Sequence, residues 1–66
     1  MIDFDPETSL YNPYPGPLGG VYSVSYFYDK EDNPCPRKYA YTVLEVEYDD
    51  NDEIVNSKVF NIGPLL

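Results

Sequence analysis

From Val21 onward, apolar and polar side chains alternate along the chain instead of recurring every three or four residues. VYSVSYFY, Val21 to Tyr28, is rich in β-branched and aromatic residues. RKYAYTVLEVEYD, Arg37 to Asp49, and EIVNSKVFNI, Glu53 to Ile62, repeat the pattern. Successive side chains of a strand point to opposite faces, so a period of two predicts strands, and no window has the spacing of an amphipathic helix. The polar loop DKEDNPCP separates the first two runs, YDDNDEI separates the second two, and Gly63-Pro64 ends the third. The expected fold is all-β: a small three-stranded antiparallel meander of β-hairpins, Val21–Tyr28, Lys38–Tyr48 and Ile54–Ile62.

Residues 1–20 follow a different rule. YNPYPGPLGG, Tyr11 to Gly20, holds three of the seven prolines and three of the four glycines. Proline fixes φ and removes a backbone donor, which excludes a helix or an interior strand there. The segment reads as an extended Pro/Gly-rich N-terminal arm with polyproline II character, ending in a flexible joint at Gly19-Gly20. The chain is thus one domain, an arm over 1–20 and a β domain over 21–66. No internal repeat is evident.

Loop chemistry sets an expected register. A three-residue loop, Asp50 to Asp52, places Asp52 at a left-handed position that Asp tolerates, and pairs Tyr48 with Ile54, Val46 with Asn56 and Leu44 with Lys58. Pairing Tyr28 with Arg37 places the first strand. Val21, Phe27, Ala40, Leu44, Val46, Tyr48, Ile54, Phe60 and Ile62 then share one face. Tyr22, Val24, Tyr26, Tyr28, Tyr39, Tyr41, Val43, Val55 and Val59 share the other, with Glu45 and Glu47 at one end. A slip of one residue would exchange the faces. The arm can cover one face through Leu10, Tyr11, Tyr14 and Leu18, so a second copy, as a homodimer, or a foreign partner is expected on the other.

Composition narrows the chemistry. A chain of 66 residues buries only ~60% of the surface it exposes when unfolded, and small domains add disulfides, a metal or a partner to compensate. Cys35 is the sole cysteine and there is no histidine, which excludes an internal disulfide and leaves no zinc ligand set. Between Pro34 and Pro36, Cys35 reads as a plain loop residue. The net charge is −8 and only Lys30, Arg37, Lys38 and Lys58 are basic. Such a field repels nucleic acid and anionic membranes and attracts basic surfaces. Eight tyrosines and three phenylalanines argue for a folded core over disorder. No apolar run approaches a membrane span and MIDFDPETS is no signal peptide, so a cytoplasmic location is expected.

The candidate reactive groups do not assemble into a catalyst. Asp49, Asn51 and Glu53 alternate oxygen ligands, but a calcium loop would need Gly and Glu where Ile54 and Phe60 stand. Glu45 and Glu47 lack an enclosing pocket that could separate two carboxyl pKa values. Without histidine there is no Ser–His or Cys–His pair, and no phosphate-cradling loop is present. The reading is therefore non-enzymatic, with no catalytic residue, metal or cofactor. Partner binding is assigned to Glu45, Glu47, Asp49, Asp50, Asp52 and Glu53 as a solvent-facing acidic edge, and to Tyr22, Tyr26, Tyr28, Tyr39 and Tyr41 as an aromatic face.

Alternate residues on a strand face lie ~6.6–6.8 Å apart, near the phosphate spacing of a nucleic-acid strand, and Glu45, Glu47 and Asp49 fall on that repeat. The expected function is an inhibitor that mimics DNA and occupies the basic surface of another protein, such as a nucleic-acid enzyme. In length, acidity and lack of catalytic residues the chain is similar to the small inhibitors phages make against restriction, CRISPR or repair enzymes, a similarity of composition alone. The alternative is a structural or assembly component, a virion accessory or a subunit of a larger complex, using the arm and the tyrosine face.

Overall fold

The computed structural model of the chain describes residues 2–17 and 19–62. It forms one antiparallel sheet of four strands in chain order, β1 Ser9–Asn12, β2 Tyr22–Tyr28, β3 Thr42–Tyr48 and β4 Ile54–Asn61. The all-β class and the three expected strands are present. The added strand lies in the arm: Ser9–Asn12 pairs with Ser23–Tyr26 at the edge of the sheet. A turn closed by the Thr8 N–H to Asp5 O bond (3.2 Å) precedes it and Pro13 follows it, which accounts for its length of four residues, because proline cannot donate to a ladder. Leu18 and the Gly63-Pro64 terminator lie outside the described residues.

Two registers differ from expectation. Tyr28 pairs with Thr42, five residues beyond Arg37. The intervening chain is a compact cover: Tyr28 bridges to Pro34, and Arg37–Tyr39 form a single 3-10 turn, so β3 starts at Thr42 and not at Lys38. On the other side, Tyr48 pairs with Ile54 as expected, but an irregularity at Glu47/Tyr48 leaves Val55 as an extra residue, and the pairs continue Glu47 to Asn56 and Glu45 to Lys58. A bulge of this kind shifts every later pair by one.

An odd slip reverses the faces. The front of the sheet carries Tyr22, Val24, Tyr26 and Tyr28 beside Thr42, Leu44, Val46 and Tyr48, and the back carries Ser23, Ser25 and Phe27 beside Val43, Glu45 and Glu47. On the front, Tyr22, Val24, Val46 and Tyr48 form a buried cluster under Ile2, Phe4 and Tyr11. On the back, Phe27, Cys35 and Ala40 form a second cluster with Val43 beneath the β2–β3 connection. Each aliphatic side chain so buried contributes roughly 1.5–3 kcal/mol. Both faces therefore receive cover from the chain itself. The strand left bare is β4, seven of whose eight residues are exposed.

Candidate partner-binding surface

The acid run answers first to backbone chemistry. Asp49 Oδ1 accepts hydrogen bonds from the Asn51 and Glu53 N–H groups (2.8 and 2.9 Å), while Asp49 N–H bonds Glu53 O and Asp52 N–H bonds Asp49 O. Asp52 takes the left-handed φ of 63° that closes the loop. The same five-residue turn occurs twenty positions earlier, a local repeat that the sequence reading missed. Asp29 Oδ1 accepts from Glu31 and Asn33 N–H (2.8 and 3.0 Å), and Asp32 also sits at φ 63°. A short acidic side chain that bonds forward to its own backbone and a second one that tolerates the left-handed region make the turn. The signal was in the sequence: DKED and DDND share Asp at their first and fourth positions.

Glu47 does not belong to a solvent-facing edge. It lies on the back of β3 with 0% exposure, and its Oε1 accepts the Gly20 N–H at 2.9 Å. The arm crosses the sheet here and depends on glycine to come so close. A Cβ on Gly16 would strike the Glu47 carboxylate, and one on Gly20 would lie 2.6 Å from Glu47 Cβ. Gly20 is thus a buried packing position instead of the expected flexible joint. The phosphate-like row of Glu45, Glu47 and Asp49 is interrupted at its centre.

The tyrosines divide. Phe4, Tyr11, Tyr22 and Tyr48 form a ring-to-ring series across the front, with centroids 6.0, 5.6 and 5.2 Å apart. Tyr22 OH donates to Asp52 Oδ1 (2.7 Å), tying β2 to the hairpin loop, and burial with this bond pushes the Tyr22 hydroxyl pKa up. Tyr26 and Tyr48 share a hydroxyl hydrogen bond of 3.0 Å. Burial, then the bond to Tyr48, push Tyr26 up to about 12. Tyr22 is buried and Tyr26 half-buried, so these two are structural instead of forming a free aromatic face. Tyr39 stands 64% exposed on the 3-10 turn, with the Lys38 ammonium 5.0 Å from its ring centre. Tyr41 lies under Lys30 at 5.9 Å, and Tyr28 lines the front groove beside β4. The expected five-tyrosine surface is not brought together.

What does reach solvent is charge at the loops and apolar surface at β4. Asp50 and Glu53 are exposed beside the start of β4, and Asp3, Asp5 and Glu7 are exposed on the arm. Glu45 is half-buried opposite Lys58, whose ammonium lies 4.9 Å from the Phe60 ring centre. Ile54 and Val59 are 66% and 65% exposed on the front. Among the described residues, no helix is long and apolar enough to cross a membrane. In comparisons with known proteins, no family model, no curated protein and no solved structure matches the chain.

Proposed function

We propose that this chain is a small acidic, non-enzymatic binding protein that docks on a basic surface of another protein, and that it acts as an inhibitor where that surface is a nucleic-acid site. The observation that carries the reading is the division of labour in the β3–β4 loop. Asp49 and Asp52 build the turn, whereas Asp50 and Glu53 add exposed negative charge to a crowded loop without a bond that explains them. Like charges so close destabilise a hairpin, and long-range attraction of a basic partner offsets that cost on binding.

The test is co-purification of a partner from the native host at low and high salt, followed by the Asp50→Lys, Glu53→Lys double variant. A salt-sensitive partner lost on charge reversal supports the proposal. A partner held with unchanged affinity and salt dependence overturns it. The second reading, an assembly component, is favoured by the bare β4 edge.

A further inference from the structure

The two margins of the sheet are unlike. β1 is four residues long and is followed by Pro13, and both features blunt an edge against further pairing. β4 runs for eight residues without proline and carries one charge, Lys58. One contact fixes which of its backbone groups face out of the sheet. The Ile62 N–H donates to Tyr41 O (3.0 Å), and along an antiparallel ladder residues that bond the neighbour alternate with residues that point away. Phe60, Lys58 and Asn56 therefore turn their backbone toward β3, and Ser57, Val59 and Asn61 turn theirs out of the sheet, where the Ser57 N–H donates to Asn56 Oδ1 (2.9 Å), a bond an incoming strand replaces.

Beside that edge the front holds a shallow groove of about 260 Å³ lined by Tyr28, Asp32, Thr42, Leu44 and Val59. Its walls are mostly apolar, Asp32 is its acidic lining residue, and further acidic residues lie beyond it at the start of β4. Asp32 lines the groove together with Tyr28 and Thr42, near the end of β4, while Glu53 and Asp50 lie at its start. This charge placement selects the occupant. A second copy pairing antiparallel along β4 would set its Asp49–Glu53 loop beside Asp32, and pairing parallel would set loop beside loop. Both bring like charges together, which is destabilising across strands.

We infer that β4 accepts an extended, cation-ended segment of a foreign protein as the fifth strand of the sheet. Its backbone bonds Ser57, Val59 and Asn61, its alternate aliphatic side chains enter the groove, and Lys or Arg at its ends face Glu53 and Asp32. Glu53 precedes Val59 by six positions, one of them the bulge residue Val55, so a segment of about seven residues, ~20 Å of strand, spans the distance with a cation at each end. This is strand addition, in which main-chain bonds give affinity and side-chain pockets give selectivity. It rests on the basic-partner reading above and states where and how that partner binds.

The test is an NMR titration of the isotope-labelled full chain with the peptide Lys-Thr-Val-Thr-Val-Thr-Lys. Two control peptides accompany it, one N-methylated at both valines and one with Glu at both ends. Saturable shifts at the Ser57, Val59 and Asn61 amides are expected, with at least ten-fold weaker binding of the methylated peptide and none of the acidic one. Val59→Pro, whose lost N–H points out of the sheet, should abolish binding, and Val59→Lys should do so without altering the backbone. Shifts confined to Asp49–Glu53 and equal for the methylated peptide overturn strand addition and leave the basic-partner reading standing. Dimerisation of the free chain through β4, or no response while a basic target still co-purifies, also overturns it.

Discussion

The Gly20 N–H donates to the carboxylate of Glu47 across 27 positions of sequence, 2.9 Å from Oε1, at a site with no solvent. A hydrogen bond to a charged acceptor contributes ~1.5–3 kcal/mol, and a buried donor left without one loses its full desolvation cost. The whole stability of a 66-residue domain is only ~3–10 kcal/mol at ~0.05–0.15 kcal/mol per residue. Glu47→Ala should therefore cost ~2–4 kcal/mol. Gly20→Ala should cost ~1–3 kcal/mol by overpacking against Glu47 Cβ. Urea unfolding of both variants checks this, and a loss below 0.5 kcal/mol in either would show that the arm is not held here.

The twin turns predict twin responses. Asp29→Ala and Asp49→Ala each remove one carboxylate that accepts two backbone N–H groups, and each should destabilise by ~1–2 kcal/mol. Asp32→Gly relieves a left-handed non-glycine residue and should be neutral or stabilising by up to ~1 kcal/mol. Asp52→Gly should gain less, because Asp52 also accepts from Tyr22 OH. Thermal denaturation of the four variants orders them.

Alkaline pH should loosen the front of the sheet. Tyr26 is pushed up to about 12 from 10.0, so the folded state holds this proton more tightly than the unfolded chain. The resulting stability is complete below pH 10, falls as pH rises from 10 to about 12, and is gone above it. Melting temperatures measured from pH 9 to 12 should fall more steeply for the native chain than for Tyr26→Phe. Parallel curves would exclude Tyr26 as a contributor.

Cys35 should behave as a core residue. Its thiol packs with Phe27 and Ala40, and burial first, then the Asp29 carboxylate, push its pKa up. A protonated, enclosed thiol is a poor nucleophile. Modification by a disulfide reagent at neutral pH should be at least ten-fold slower in the folded chain than in denaturant. Equal rates would place the thiol in solvent.

The strands were legible because alternation is a local property. Val21–Tyr28 and Ile54–Ile62 match β2 and β4 to within a residue at each end. Faces and partners depend on loop geometry, which alternation along a strand does not specify. Pro34 bridging back to Tyr28 and the turn at Arg37–Tyr39 take up residues that a simple hairpin would place in the ladder, and five positions of slip set the β2 tyrosines on the aliphatic face. Val55 as a bulge residue has no signature in EIVNSK. The tight acidic loop and the left-handed Asp52 were readable as turn chemistry, but the burial of Glu47 was not, since the contact that hides it comes from Gly16 and Gly20.

The two clusters lie on opposite sides of the sheet, at opposite ends of the same strand pair. The side chains of each cover pack on their own cluster, and the arm meets the second cluster at Phe27, whose N–H donates to Thr8 O (3.0 Å), so each cover can lift away while β2 and β3 stay joined. Amide exchange should then resolve independent opening units: slowest at Val24 and Val46, faster beneath either cover, and fastest at the outward amides of β4. Binding along β4 would appear in such a profile as protection arriving at the margin, with the two covers left breathing at their own rates.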